Sequence, residues 1–285
     1  MTHALPSLAE RSAPVAAPRG ATLAGDVRRT RLAHDLWPTL RRQAEENARR
    51  EPLLFAYLNA RVLAHDGLDI ALSHAVGDAL GSDALPRTEL ASLTMQCLAD
   101  DPSISDRTRL DLHATYTRDP AAYDLVNVFA NQKGFQALQA YRIAHHLWCA
   151  GRHGLALFLQ GRIAQTFALD IHPAACIGGG VTIDHGTSIV IGETATVADD
   201  VALFQGVTLG GTGKERGDRH PKIERGALLC AGAKILGNVQ IGAFARIGAG
   251  AIVLSDVPAG ATAVGIPAAV VNTRDLSGEA GYDAS

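Results

Sequence analysis

An acid and a base stand side by side in an otherwise apolar stretch of this sequence. The stretch is GGVTIDHGTSIVIGET, residues 179–194, and the pair is Asp184 and His185. Imidazole is the side chain most often used as a general base near neutral pH, and a nearby carboxylate can orient its ring. An acid or a base set into a repetitive β structure can equally be an exposed corner residue. The structural elements that contain the pair are therefore needed to distinguish a catalytic base from an exposed corner residue.

The residues around this pair repeat with a period of six. Every sixth residue from Ile171 to Val207 is apolar, and after an interruption the pattern resumes from Ile223 to Ala259. This period is typical of a parallel β-helix with three hexapeptides in each triangular coil of about 18 residues. We expect one apolar side chain per hexapeptide to point into a narrow core. A flat parallel sheet would need helical crossovers, for which there is no room.

The preceding residues have a helical pattern. Apolar side chains recur between residues 31 and 169 at intervals of three and four, and widely spaced prolines divide this part into helices of ordinary length. The fold class predicted from the two patterns is α+β. An N-terminal all-helical domain at 31–169 is followed by a C-terminal β-helix of hexapeptide repeats at 170–272.

The composition argues against two classes of partner. A formal net charge of −3 provides no basic surface for nucleic acid, and the apolar runs are too short for a membrane span. The four cysteines form no CxxC motif, which favours a reducing cytoplasm over a disulfide framework or a zinc knuckle. Residues 1–30 are predicted to be a disordered extension, with an organelle transit peptide as the alternative. Residues 273–285 are predicted to be a flexible tail.

Three stretches together resemble serine O-acetyltransferase. They are DIHPAACIGGGVTIDHGTSIVIGET, VTLGGTGKERGDRHPKI and GAKILGN…IGAGAIV, and the resemblance extends to TRDPA and KGFQALQAYRIAHHLW in the helical part. It covers roughly residues 35–272. The hexapeptides alone indicate only a broad superfamily of acyl and nucleotidyl transferases, whereas the DIHP, DH and GDRHPKI motifs are more specific. The resemblance implies a helical oligomerisation domain, a left-handed parallel β-helix as catalytic domain, and a homotrimer with active sites between subunits. It also implies possible pairing of trimers into hexamers.

The reaction implied by the resemblance is transfer of acetyl from acetyl-CoA to the hydroxyl of L-serine. The products are O-acetyl-L-serine and CoA, and this is the first step of cysteine biosynthesis from serine. His185 matches the family's catalytic base, and Asp170 matches the carboxylate that orients it. No Ser or Cys nucleophile motif is present, so we expect direct attack without an acyl-enzyme.

The resemblance also assigns residues to the substrate. Asp119 and Asp184 match acids that bind the amino group of serine, although Asp119 could instead be a helix N-cap. Arg219 and His220 lie in the loop GGTGKERGDRHPK, which interrupts the hexapeptides. Arg219 would hold the serine carboxylate with its planar guanidinium. A solvated charged loop is the alternative interpretation of this segment.

The coenzyme would lie along an outer edge of the β-helix. Gly211, Ala231 and Ala249 match family positions where small residues let the coenzyme approach the backbone, and Arg246 occupies a position that is often basic. Packing alone would also explain each of these residues. Acetyl-CoA is expected as a co-substrate, and no metal is expected.

Two regulatory partners follow from the resemblance. L-Cysteine shares the amino and carboxylate groups of serine, so we expect it to be a feedback inhibitor. Many family members end in an isoleucine that inserts into O-acetylserine sulfhydrylase. This sequence ends in GYDAS without that isoleucine, so we expect weak or absent binding to the sulfhydrylase.

Three alternatives to this function remain open at the level of sequence. The first is a hexapeptide-repeat acetyltransferase that acts on a sugar or antibiotic hydroxyl. The second is a trimeric zinc hydrolyase that uses His172, His185 and His220 as ligands, although their spacing is no strong metal signature. The third is a non-catalytic scaffold.

Overall fold

The computed structural model describes residues 36–214 and 216–273. The predicted extension over residues 1–30, and the predicted tail after Thr273 together with its docking to the sulfhydrylase, lie outside the described residues. Within the described residues, a helical region precedes a parallel β-solenoid of about five turns, which confirms the predicted architecture. No helix within these ranges combines the length and apolar character required to cross a membrane.

The helical region ends where the solenoid begins. Its helices are α1 (Leu36–Arg50), α2 (Phe55–Leu58), α3 (Leu68–Leu80), α4 (Arg87–Asp100), α5 (Pro102–Arg118), α6 (Leu125–Asn131), α7 (Lys133–Cys149) and α8 (His153–Phe167). A 3₁₀ turn (Pro52–Leu54) precedes α2, and a π turn (Asn59–Leu63) follows it. The carboxylate of Asp101 accepts the backbone N–H of Ser103 at 3.0 Å and so caps α5. Ala168 adopts a left-handed conformation after α8 and turns the chain into the first strand.

The strands form three faces of a triangular prism. The first face contains β1 (Leu169–Ile171), β4 (Ile189–Ile191), β7 (Thr208–Gly210), β10 (Lys234–Leu236) and β13 (Ile252–Val253). The second contains β2 (Cys176–Ile177), β5 (Thr196–Val197), β8 (Lys222–Ile223) and β11 (Gln240–Ile241). The third contains β3 (Thr182–Ile183), β6 (Ala202–Leu203), β9 (Leu228–Leu229), β12 (Arg246–Ile247), β14 (Ala261–Gly265) and β15 (Ala268–Thr273). All pairs are parallel except β14 with β15.

In β1 and β4 two side chains of the strand point inward, where the sequence predicted one, whereas in β7 and β10 only the central residue is buried. In β4 both Ile189 and Ile191 are buried, and Val190 between them is exposed. β1 has the same pattern, with Leu169 and Ile171 inside. Because successive strand residues point to opposite sides, the first and third residues of β1 and of β4 share the core.

The hexapeptide register departs from eighteen residues per coil at three places, and the sequence predicted only the second. Leu169 pairs with Ile189, twenty residues later, whereas Val190 pairs with Thr208, eighteen residues later. The two additional residues lie between β3 and β4, the segment that contains the Asp–His pair. The expected six-residue period through Ile183 and Ile189 is therefore wrong at this point, because Ile191 is the residue equivalent to Ile171. The second departure is the loop between β7 and β8. At the third, the last coil is two residues short, because Arg246 pairs with Thr262 sixteen residues later, so Val257 is buried and the expected core position Ala259 is exposed.

A buried ion pair joins the helices to the solenoid. Arg142 of α7 donates from Nη2 to Asp111 Oδ2 of α5 at 2.7 Å, and both side chains are almost fully buried. The same guanidinium group donates to the carbonyl of Gly178, and Asp111 accepts the N–H of Val181 at 3.0 Å. Removal of one partner from such a pair typically costs about 3–5 kcal/mol of stability. The two parts of the chain are thus fixed relative to each other beside β3.

Candidate active site

Asp184 and His185 lie on the lengthened corner between β3 and β4. The backbone of His185 is left-handed, with φ +53°, and so is that of Ser188, with φ +63°. His, Asn and Asp tolerate this conformation better than most residues. The imidazole is 74% exposed, and its Nε2 lies 3.8 Å from Asp184 Oδ1. The corner therefore presents the ring to solvent with a carboxylate beside it.

The start of α7 packs on this corner. A Cβ at Gly134 would lie 2.2 Å from the carbonyl oxygen of Ile183, so only glycine allows this approach. One residue earlier, Lys133 Nζ donates to Thr187 Oγ1 at 2.5 Å. These contacts fix the helix terminus against the segment that carries His185.

Asp119 lies near the same helix terminus. It is the C-cap of α5, and its Oδ1 accepts the N–H of Ala121 at 2.8 Å. Its Oδ2 accepts a hydrogen bond of 3.0 Å from the side-chain amide of Gln132, the residue before α7. Asp119 therefore closes the turn after α5, and the N-cap interpretation does not describe it.

A second polar group lies at the other end of β4. Arg219 Nη2 donates to Glu193 Oε2 at 2.8 Å, and Arg219 Nη1 donates to the carbonyl of Gly217 at 3.0 Å. The hydroxyl oxygen of Thr194 accepts the backbone N–H groups of Arg219 and His220 at 3.0 and 3.1 Å. The end of the register-breaking loop is thus held on the corner that follows β4. The hydrogen bond from Arg219 is the main reason that the pKa of Glu193 is lowered.

His220 is buried in this group in its neutral form. Its Nδ1 accepts the backbone N–H of Thr194 at 3.2 Å, so the ring proton of the neutral form is on Nε2. The ring also packs directly on Gly192, where a Cβ would lie 2.1 Å from it. Burial, followed by the charge of Arg219, lowers the pKa of His220.

Asp170 and His172 lie beside this second group. Asp170 Oδ1 accepts a hydrogen bond of 2.7 Å from Gln160 of α8. Burial lowers the pKa of His172, while the charges of Glu193 and Asp170 oppose that shift. His172 also contacts the indole of Trp148 edge to face, at 5.1 Å between ring centroids.

The small residues predicted to line the coenzyme site follow the edge that begins at the His185 corner. Gly206 N donates to the carbonyl of Thr187, Gly232 N to that of Gln205, and Gly250 N to that of Ala231, each at 2.8 Å. Ala231 and the adjoining residue Ala249 therefore lie on the coils below His185.

The other two positions predicted for the coenzyme lie elsewhere. Gly211 packs beside Arg219, with the side chain of Arg219 3.5 Å from the position of a Cβ. Arg246 begins β12 on the third face, where its charge influences Cys230.

The predicted residues thus form two groups on opposite edges of the first face. Asp119, Asp184 and His185 are on one edge, and Arg219 and His220 are on the other. Within the described residues no hydrogen bond or ion pair joins His185 to Asp170, and no three His, Cys, Asp or Glu side chains are arranged to hold a metal ion.

Two residues of the second group are not among those predicted to bind substrate. No motif in the sequence marks Glu193, and His172 is predicted only as a candidate zinc ligand. The signal available in the sequence is the position of each, because His172 directly follows β1 and Glu193 is the second residue after β4, both on the first face.

Comparison with known proteins gives a consistent result. The family model described as "Serine acetyltransferase, N-terminal" matches residues 36–140. Serine acetyltransferase of Haemophilus influenzae is 44% identical over 249 residues, which are 87% of this chain and 93% of that protein. Serine acetyltransferase of Escherichia coli K12 is 46% identical over 240 residues, which are 84% of this chain and 88% of that protein.

Solved structures are similar over the same extent. Soybean serine acetyltransferase complexed with serine is 48% identical, with a TM-score of 0.81 over 82% of this chain and 97% of that one. Serine acetyltransferase from Brucella abortus in complex with coenzyme A is 43% identical, with a TM-score of 0.82 over 84% of this chain and 96% of that one. A serine acetyltransferase in complex with cysteine is 44% identical, with a TM-score of 0.84 over 86% of this chain and 95% of that one.

Proposed function

Because this chain belongs to the serine acetyltransferase family, whose members are acyltransferases, we propose that His185 catalyses acetyl transfer from acetyl-CoA to the hydroxyl of L-serine. The products are O-acetyl-L-serine and CoA. The observation that carries this proposal is the presentation of His185, an exposed imidazole on a corner that the hexapeptide repeat does not require. Related structures that contain serine and coenzyme A support the choice of substrates.

The proposed chemistry is a direct attack assisted by a base. The imidazole of His185 takes the proton of the serine hydroxyl while the hydroxyl oxygen attacks the thioester carbonyl. The tetrahedral intermediate then collapses, the C–S bond breaks, and the proton passes from the imidazolium to the departing CoA sulfur. Asp170 would stabilise the imidazolium. Acetyl-CoA is a co-substrate, and no step in this scheme requires a metal.

Two groups of opposite charge would hold serine at both ends. Asp119 and Asp184 would bind its ammonium group, and Arg219, supported by His220, would bind its carboxylate. Arg219 is already paired with Glu193 at 2.8 Å. The serine carboxylate would therefore either share the guanidinium group of Arg219 with Glu193 or replace Glu193 at that group.

The separation of these groups supports an assembly in which subunits share the site. The two groups lie at opposite ends of β4, a strand of three residues, which spans about 10 Å. In a homotrimer, one edge of a protomer would face the other edge of its neighbour, so that one serine molecule could contact both groups. Pairing of trimers through the helical domains follows from the family resemblance alone.

The coenzyme would extend from His185 along the edge that carries Ala231 and Ala249. Its thioester would lie beside the imidazole, and its pantetheine arm would follow the backbone groups exposed between the small residues. Arg246 lies on the neighbouring third face and would contribute a positive charge from there.

The place of the reaction in metabolism is part of the same proposal. O-Acetylserine is an activated form of serine, so we assign the chain to the first step of cysteine biosynthesis. L-Cysteine would inhibit at the serine site, which a related structure with bound cysteine supports. All four cysteines are free thiols, which is typical of the reducing cytoplasm.

Release of CoA thiol from acetyl-CoA tests this function. We expect release that depends on L-serine and that is absent with sugar or aminoglycoside acceptors. Release with a sugar acceptor in preference to serine would favour the alternative hexapeptide-repeat acetyltransferase. No release with any acceptor would favour the non-catalytic scaffold.

A further inference from the structure

The carboxylate of Asp119 is held from two directions. The N–H of Ala121 donates to Oδ1 at 2.8 Å, and the Gln132 amide donates to Oδ2 at 3.0 Å. The first contact belongs to the local turn, two residues away. The second crosses to another element, thirteen residues along the chain, and is partly buried.

The position of Asp119 makes the second contact informative. Asp119 is the C-cap of α5, where the helix dipole places partial negative charge and disfavours a carboxylate. An acid is therefore a poor choice for this position on grounds of helix stability. A hydrogen-bond donor that stabilises the carboxylate compensates for this, and the side-chain amide of Gln132 is such a donor.

Gln132 is itself fixed with respect to the His185 corner. It is the N-cap of α7, and the next two residues, Lys133 and Gly134, pack against Thr187 and Ile183. The amide group thus connects Asp119 to the same backbone segment that supports Asp184 and His185.

We propose that Gln132 is a positioning residue that holds the Asp119 carboxylate in place for the ammonium group of the amino-acid substrate. This inference rests on the proposed function, in which Asp119 binds that ammonium group. Each carboxylate oxygen of Asp119 can accept a second hydrogen bond in addition to the one from Ala121 or Gln132. The two existing hydrogen bonds fix the directions in which these remaining lone pairs point. Without Gln132, rotation of the side chain would move the Oδ2 site away from the substrate.

Steady-state kinetics of Gln132→Ala test the proposal. We expect the KM for L-serine to rise about tenfold, the effect of losing one hydrogen bond to a charged group. The inhibition constant for L-cysteine should rise by the same factor, because cysteine carries the same ammonium group. The kcat and the KM for acetyl-CoA should stay within about twofold of the wild-type values.

Gln136→Ala is the matched control. Gln136 lies one turn later on α7, is likewise partly buried, and donates from its amide to the carbonyl of Ala130 at 2.7 Å. We expect its kinetics to match the wild type. An equal rise in the serine KM for both variants would assign the effect to α7 packing and overturn the proposal.

Gln132→Glu provides a second readout that does not depend on the loss of volume. The new carboxylate would face Asp119, could donate no hydrogen bond to it and would repel it. The serine KM should therefore rise at least as much as in Gln132→Ala, while the KM for acetyl-CoA stays near the wild-type value. A serine KM equal to that of the wild type would contradict the proposal.

Asp119→Ala separates this inference from the function on which it rests. A large rise in the serine KM for Asp119→Ala without one for Gln132→Ala would overturn only the role of Gln132. No rise for either variant would show that Asp119 does not bind the ammonium group.

Discussion

The side-chain amide of Gln160 donates a hydrogen bond of 2.7 Å to the carboxylate of Asp170. Gln160 belongs to α8, the last helix before the solenoid, and Asp170 is the central residue of β1. The residue predicted to orient the catalytic base is therefore in contact with the helical region. A substitution of Asp170 can also remove this contact, so its effect on kcat must be distinguished from the effect of losing the contact.

Replacement of His185 should remove most of the turnover. A positioned base typically contributes about 10²–10⁴-fold to the rate, and we expect kcat to fall by this amount. His185→Asn is the cleaner variant, because asparagine tolerates the left-handed backbone, whereas His185→Ala adds a conformational cost of about 1–2 kcal/mol. Ser188→Ala, at another left-handed position of the same corner, is the control and should leave kcat unchanged. Activity of His185→Asn within tenfold of the wild type would exclude the role of base.

Asp170→Asn should reduce kcat less than the His185 variants. It removes charge stabilisation of the imidazolium but leaves the base in place. Gln160→Ala is the matched control, because it breaks the contact with α8 and keeps the carboxylate. If Gln160→Ala lowers kcat as much as Asp170→Asn does, the effect of Asp170 is structural.

Arg219→Ala should raise the KM for serine far more than the KM for acetyl-CoA. The loss of a charge-assisted contact with the substrate carboxylate is worth about 1.5–3 kcal/mol. Arg216→Ala, in the same loop and exposed, is the control for general changes in charge. A selective rise in the acetyl-CoA KM would instead place Arg219 at the coenzyme.

L-Cysteine should inhibit in competition with L-serine. The thiol replaces the hydroxyl, while the ammonium and carboxylate groups keep their expected partners Asp119, Asp184 and Arg219. Initial rates measured against serine at several cysteine concentrations should share one maximal rate. The analogue 3-mercaptopropionate lacks the amino group and should inhibit far more weakly. Inhibition that lowers the maximal rate without changing the serine KM would point to a separate site.

Stability should decrease as the pH falls below about 6.5. Burial lowers the pKa of His145, the charges of Arg107 and Arg142 lower it further, and the carbonyl of Pro173 and the charge of Asp101 oppose the shift. The unfolded chain, with an ordinary histidine pKa of about 6.5, then binds more protons than the folded chain. The contribution to stability is therefore present above pH 6.5 and lost as the pH falls through the folded pKa.

Thermal unfolding between pH 8 and pH 5.5 measures this dependence. We expect the Tm of the wild type to fall on the acid side, and the fall to be smaller for His145→Gln, which no longer titrates. An identical pH dependence for the two proteins would exclude His145 as a source of the effect. His172 and His220, whose pKa values are also lowered by burial, would account for the remaining slope.

The period of six was sufficient to predict the solenoid but not its register. Counting six residues from Ile183 leads to Ile189, which is buried, although the equivalent residue is Ile191. Ile189 and Ile191, the two inward-pointing residues of β4, are both apolar. A displacement of two residues therefore places no polar residue at a position that the six-residue period predicts to be apolar. Only the pairing of β1 with β4 shows the displacement.

The candidate site was predictable where residue type and motif suffice. Asp184 and His185 stand out because the repeat does not require them. Contacts that depend on side-chain reach between elements were not predictable. Glu193 accepts a hydrogen bond from Arg219, which lies 26 residues later in the chain, and Gln132 at the start of α7 donates to Asp119 at the end of α5. Sequence spacing therefore indicates neither contact.

The distances along the ladder also show how such a fold tolerates change. Pairs such as Val190 with Thr208 and Lys234 with Ile252 lie eighteen residues apart, whereas pairs that cross the Asp–His corner or the Arg219 loop are separated by twenty and twenty-six. In each case the extra length is confined to a corner, and the next coil stacks in the same alignment. Corners can therefore lengthen independently of one another, while strands cannot. A new activity can be added to this scaffold by insertion at one vertex, with no compensating change in the coils that follow.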